Sequence, residues 1–102
     1  MKVPEPTITV GGGVIVREYQ VPKGMVLTSH IHPYDHMSIL ISGECSLAVD
    51  GRVSVLRGPC SVEIKAGMVH SLYAMTDCVW DCIHALELAN ESGDSLILEG
   101  VN

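Results

Sequence analysis

Short runs of alternating or apolar residues recur along the whole chain. They cover Thr7–Val10, Val14–Val21, Met25–Ile31, Met37–Ile41, Cys45–Val49, Arg52–Leu56, Val62–Lys65, Val69–Met75, Val79–Leu88 and Ser95–Leu98. Many are rich in Val and Ile, whose branched Cβ suits a pleated strand. Turn residues separate them: Gly11-Gly12-Gly13, Pro22-Lys23-Gly24, Ser42-Gly43, Asp50-Gly51, Gly58-Pro59, Ala66-Gly67, Thr76-Asp77 and Asn90–Asp94. Strands at this spacing predict an all-β sandwich or barrel. Asp50-Gly51 between two alternating runs predicts a two-residue hairpin. Cys78–Asn90 holds helix formers in its second half, but Val79–His84 carries no helical stripe, so the stretch predicts a strand. The tail after Gly93 reads as one more short strand. A small barrel that closes on itself has no exposed edges, and its interior can hold one small ligand.

Composition narrows the class. One domain is expected over 1–102, since the chain has 102 residues. Hydrophobic residues make up 47% of it, which excludes a disordered chain. The net charge of −6 argues against nucleic acid, whose phosphates want a basic face, and against anionic membranes. No run approaches the ~18 apolar residues of a membrane span. Met1–Pro6 lacks the apolar core of a signal peptide, so a cytoplasmic location is expected. Cys78 and Cys82 stand four apart in a predicted strand. That is roughly 13 Å at ~3.3 Å per residue, beyond the ~7 Å a disulfide spans. Cys45 and Cys60 do not face each other across the Asp50-Gly51 turn. All four cysteines are expected reduced, as small apolar side chains.

The histidines carry the chemistry. His30 and His32 stand two apart, so on a strand both point to one face. Pro33-Tyr34-Asp35 breaks the ladder, and His36 opens the next strand. His70 starts a later strand just past the Lys65-Ala66-Gly67 turn. A bare His-x-His pair is weak evidence. Imidazoles converging from several strands suit a borderline divalent metal such as Fe, Mn, Ni, Cu, Co or Zn.

These residues resemble the cupin family. Its first motif is Gly, five residues, His-x-His, three or four residues, Glu, six residues, Gly. The chain offers Gly24, His30-x-His32, His36 in the acidic position, and Gly43. Its second motif is Gly, five residues, Pro-x-Gly, two residues, His, three residues, Asn. Here the match is looser: Gly58, six residues, Lys65-x-Gly67, His70, and Ala74 in the Asn place. The resemblance implies a cupin-type jelly-roll β-barrel with motifs at 24–43 and 58–74. It also implies one divalent transition metal ion held by His30, His32 and His70, with His36 in place of the acidic ligand. Four neutral imidazoles leave such an ion near its full charge, which favours an anionic ligand or a metal-bound hydroxide.

Parity then sets the pocket. If His30 and His32 face inward, so do Thr28 and Val26. Inward His36 and His70 bring Ser38, Leu40, Leu72 and Ala74, which makes a small and mostly apolar pocket. His84 alternates with Trp80 and Cys82 on a later strand, as a candidate base or substrate contact, with Asp81 as the alternative if the register flips. Tyr34 lies between two ligands and is a candidate for covering the mouth and donating a hydrogen bond.

Three functions fit. The first is a mononuclear metal-dependent dioxygenase or other oxidoreductase acting on a small organic substrate. The second is a non-oxidative Lewis-acid enzyme: an isomerase, cyclase, lyase or hydrolase. The third is a non-catalytic small-molecule binding or sensor module. Expected partners are a small-molecule ligand or substrate and a second copy in a homodimer sharing the N-terminal strands, with no nucleic acid and no membrane.

Overall fold

The protein is described by a computed structural model over residues 5–28 and 32–91. The strands are β1 (Thr7–Gly11), β2 (Val14–Val21), β3 (Val26–Thr28), β4 (His36–Ser42), β5 (Glu44–Val49), β6 (Arg52–Arg57), β7 (Cys60–Ile64), β8 (His70–Ala74) and β9 (Cys78–Ala85), followed by helix α1 (Leu86–Glu91). They pair antiparallel in two sheets, β1-β2-β9-β4-β7 and β3-β8-β5-β6. From β4 onward the chain crosses repeatedly between them, in the manner of a jelly roll. The Asp50-Gly51 hairpin forms as expected, with φ of 49° and 82° at its two residues.

Among the described residues the sheets do not close into a barrel. The sheets face each other as two layers, and β1, β7, β3 and β6 remain edge strands. What joins the layers is side-chain packing. Tyr19, Val21, Leu40, Cys78, Trp80 and Cys82 of the first sheet meet Leu27, Cys45, Leu47, Leu72 and Ala74 of the second in one apolar cluster. Trp80 is fully buried within it. Cys45, Cys60, Cys78 and Cys82 form no disulfide, and the buried Cys78 thiol donates to the Glu44 carbonyl at 3.2 Å. Burial pushes the Cys45 thiol up to about 12, so it behaves as an apolar side chain.

The expected strand over Val79–Leu88 is a strand only as far as Ala85. Its partner β2 begins at Val14, which pairs Ala85, so no ladder is left beyond that point. The helix formers Leu86, Glu87 and Leu88 then follow their own propensity, and the Leu86 N–H donates to the Gly13 carbonyl at 2.9 Å. The expected strand Ser95–Leu98 lies outside the described residues, as does the end of the run Met25–Ile31.

Two corners take the chain from one sheet to the other, and they are stacked. Gly43 turns β4 into β5, Gly58 leads β6 into β7, and the Gly58 N–H donates to the Gly43 carbonyl at 2.9 Å. Gly43 has φ of 97°, and a Cβ there would lie 2.8 Å from Cys78 Sγ. At Gly58 a Cβ would lie 2.8 Å from Ser42 Cα. These are the closing glycine of the first motif and the opening glycine of the second, so both have a packing reason for being glycine. Gly43→Ala and Gly58→Ala should each lower unfolding free energy by about 2 kcal/mol or more, read from urea titration. Gly12→Ala, in open space at φ 59°, should cost only about 1 kcal/mol.

Candidate metal centre

Strand β9 lies between β2 and β4, and alternation along these strands aligns their inward side chains in rows. Ile15 pairs His84, and His36 pairs Ile64 on β7. Because Met37 pairs Ile83, His36 and His84 stand side by side. The next row holds Arg17, Cys82, Ser38 and Val62, and the one after it Tyr19, Trp80, Leu40 and Cys60. From the second sheet His70 opens β8 opposite Val49. His32 precedes β4 and is also buried. The interior is therefore graded, with imidazoles at one end and apolar side chains at the other.

The rings are close. His36 stacks on His84 with centroids 4.5 Å apart and planes at 26°. His32 lies 5.0 Å from His84 and 5.2 Å from His36, and His70 lies 5.9 Å from His36. The Nε2 atoms of His32, His36, His70 and His84 are all buried. Tyr34 is buried as well, and its hydroxyl is hydrogen-bonded to His84 Nδ1 at 3.2 Å. Burial and the neighbouring His32 push the His70 pKa down to about 4. That keeps this imidazole neutral at neutral pH, the form that binds a metal.

Polar contacts hold the two histidine segments together. The Gly67 N–H donates to the His32 carbonyl at 2.9 Å, and the Ala66 N–H to Asp35 Oδ1 at 2.8 Å. Lys65 Nζ stands 3.6 Å from Asp35 and 3.2 Å from Glu63. The Ala66 amide, first among the causes, holds the Asp35 carboxyl below its ordinary pKa.

Residues 17–84 match the Cupin_2 family of cupin domains. The chain is a cupin. No curated protein matches its sequence. Among solved structures it is similar to a cupin 2 domain-containing protein from Halorhodospira halophila, with TM-score 0.71, 21% identity, and coverage of 78% of this chain and 62% of that one. A conserved protein of unknown function from Streptococcus pyogenes matches with TM-score 0.63 and 20% identity over 74% of this chain and 66% of that one. This cupin thus spans slightly under two thirds of the length of both. A salicylate 1,2-dioxygenase mutant from Pseudoaminobacter salicylatoxidans has TM-score 0.71 at 10% identity, over 80% of this chain and 24% of that one. These likenesses show the fold.

Cupins commonly bind a metal, and the residues here suit one. Two imidazoles sharing an ion through Nε2 at about 2.1 Å would have ring centres roughly 4.5–5.5 Å apart. The described rings stand at and slightly beyond that spacing. No three ligand-type side chains among the described residues are drawn together closely enough to enclose an ion. His30, expected as a fourth ligand, lies outside the described residues. The donor set fits a divalent metal by chemistry and by its gathering at one end.

The rest of the expected pocket divides. Ser38, Leu40, Leu72 and Ala74 do face inward. Val26 and Thr28 do not: both are exposed, and Leu27 between them is buried. Leu27 and His32 are five positions apart, an odd number, so strict alternation does not run from one to the other. Of the two candidates on β9, His84 faces the interior and Asp81 the opposite face. Arg17 was not foreseen. It is fully buried on β2, and the same parity that turns Ile15, Tyr19 and Val21 inward was the signal for it.

On the outer face Asp81 pairs Glu18 across the ladder. Burial, then the hydrogen bond and charge of Glu18, push the Asp81 pKa up to about 7. A carboxyl with a raised folded pKa stabilises the fold at low pH, and that contribution is lost as pH rises through the folded value. Asp81→Asn should therefore raise the urea midpoint by more at pH 8.5 than at pH 5, because the loss sets in once pH passes the ordinary carboxyl value of about 3.9. An equal gain at both values would show that Asp81 ionisation is not what costs stability.

Proposed function

We propose that this cupin is a metal-dependent enzyme acting on a small organic substrate, with dioxygenase chemistry as the first reading. The observation that carries it is the gathering of His32, His36, His70 and His84 at one end of an apolar interior. A divalent transition metal held by His30, His32, His36 and His70 would supply redox and Lewis-acid chemistry there. The fold shared with a salicylate 1,2-dioxygenase supports the oxidative reading by analogy.

His84 and Tyr34 are assigned the proton. With Tyr34 donating to Nδ1, His84 keeps its own proton on Nε2 and can deliver it. With Nδ1–H donating to the Tyr34 oxygen, Nε2 accepts a proton instead. The pair can therefore act as acid or as base, and stacking on His36 fixes the ring. Trp80, Tyr19 and Leu40 close the interior behind it against water. This pair also favours a second reading, a non-oxidative isomerase, cyclase, lyase or hydrolase, because such reactions turn on a placed acid or base. The edge position of β1 supports a homodimer joined through the N-terminal strands.

Elemental analysis of tag-free protein at neutral pH tests the assignment. About one equivalent of Fe, Mn, Ni or Cu, with oxygen uptake in a substrate screen, is expected. About one equivalent of Zn without oxygen uptake would move the assignment to the second reading. No metal, and none taken up on reconstitution, would overturn both. His70→Ala should lower metal content. His84→Ala should keep the metal and reduce turnover by about 100-fold or more. Equal metal loss in the two variants would make His84 a ligand.

A further inference from the structure

A cavity of about 530 Å³ lies between the free edges of β6 and β7, and β5 and the loop before β8 complete its lining. Small-molecule sites have volumes of ~300–1,000 Å³. The apolar part of the lining is Val49, Val62 and Met68, all half-buried. The polar part is Asp50, Arg52, Ser54 and Glu63, all exposed. An apolar floor with a polar rim suits a molecule that has an apolar body and a polar head. The cavity also adjoins the histidine end. Val49 pairs His70 on β8 and Arg52 on β6, so these three stand in one row on the inner face of the second sheet. Adjacent strands are ~4.8 Å apart, which puts the Arg52 backbone roughly 10 Å from that of His70, across Val49. From the other sheet, Val62 pairs Ser38, one inward position from His36.

We propose that this cavity binds a small monocarboxylate, with Arg52 gripping the carboxylate and the apolar body lying on Val49, Val62 and Met68. As a substrate class for this cupin, the inference rests on the reading of the histidine end as the reaction centre; the binding itself does not. The state of the cations supports it. Arg57, on the same strand, is paired with Glu44 at 3.3 Å, and Lys65 stands 3.2 Å from Glu63. The Arg52 guanidinium makes no hydrogen bond or ion pair with the other described residues. Its planar fork of five N–H donors matches a carboxylate and is open to a ligand. The acids of the rim set the limit on charge. Lys65 takes up the charge of Glu63. Asp50 lies two positions before Arg52, and its carboxylate opposes a second acid group on the ligand, so one carboxylate is favoured over two.

The test is calorimetric titration of the full-length protein at constant ionic strength, with metal content measured on each sample. Benzoate and butyrate are compared with benzamide and butyramide, and butyrate with succinate. At least one acid should bind more tightly than its amide by about 5-fold or more. Arg52→Gln should bring that ratio close to one with metal content unchanged, and Arg52→Lys should keep part of it, because charge survives while the fork is lost. Arg57→Gln should leave the ratio as it is. Ser54→Trp, which places a ring in the cavity, should weaken acid and amide alike. Asp50→Asn should narrow the gap between butyrate and succinate, since Asn tolerates the φ of 49° at that position. Absence of binding by every acid, a ratio near one in the unaltered protein, equal loss in Arg52→Gln and Arg57→Gln, or binding indifferent to Ser54→Trp would overturn the proposal. An Arg52-dependent preference in protein that takes up no metal would keep the binding site and remove the metalloenzyme reading. Bound metal without a preference would do the reverse.

Discussion

The inner wall depends on one constraint: β9 is hydrogen-bonded to β2 on one side and to β4 on the other, in fixed register. Because side chains alternate with a period of two, a slip of one residue on β9 would turn His84, Cys82, Trp80 and Cys78 outward and bring Asp81 and Val79 in. Burial resists that slip. Trp80 is fully enclosed, and exposing it would forfeit several kcal/mol of hydrophobic stabilisation. The tryptophan at one end of the strand thus fixes the position of the histidine at the other. The same ladder sets His36 beside His84 and Arg17 beside Cys82. Chemistry at the histidine end is positioned by packing at the apolar end.

That division has a physical cost. Buried imidazoles and a buried guanidinium give up hydration that the apolar side chains beside them never had. The apolar cluster of both sheets supplies the stability that tolerates them. The histidine end is held mainly by polar contacts between backbone and loop side chains, such as Ala66 to Asp35 and Gly67 to His32. Contacts of this kind fix direction at modest energy, about 0.5–1.5 kcal/mol each. They orient the two motif segments toward each other.

Much of this was legible in the sequence, for identifiable reasons. Strong alternation with bounded turns located β2 at Val14–Val21 without error, and Asp50-Gly51 announced its hairpin through positive-φ tolerance. The inward residues of β4, β8 and β9 followed from parity once His36, His70 and His84 were placed. Parity failed between Leu27 and His32, where the β3 ladder stops at Thr28 and the period of two no longer carries across. Barrel closure was not legible, because alternation says which face is buried but not which edge pairs with which. The helix α1 was missed because its start depends on where β2 begins, a long-range fact that local propensity does not contain.

Arg17 shows a different limit. Its parity was available from Ile15, Tyr19 and Val21, yet a charged residue in a strand reads by default as a solvated one, and Arg52 and Arg57 on β6 follow that default. The default reflects an average over surfaces and carries no information about a ligand. A charge that contradicts the parity of its own strand is therefore the more informative residue. Three apolar or aromatic neighbours on β2 require that face to be buried, and Arg17 is buried with them. The motif histidines mark the end of the interior where the proposed metal centre lies.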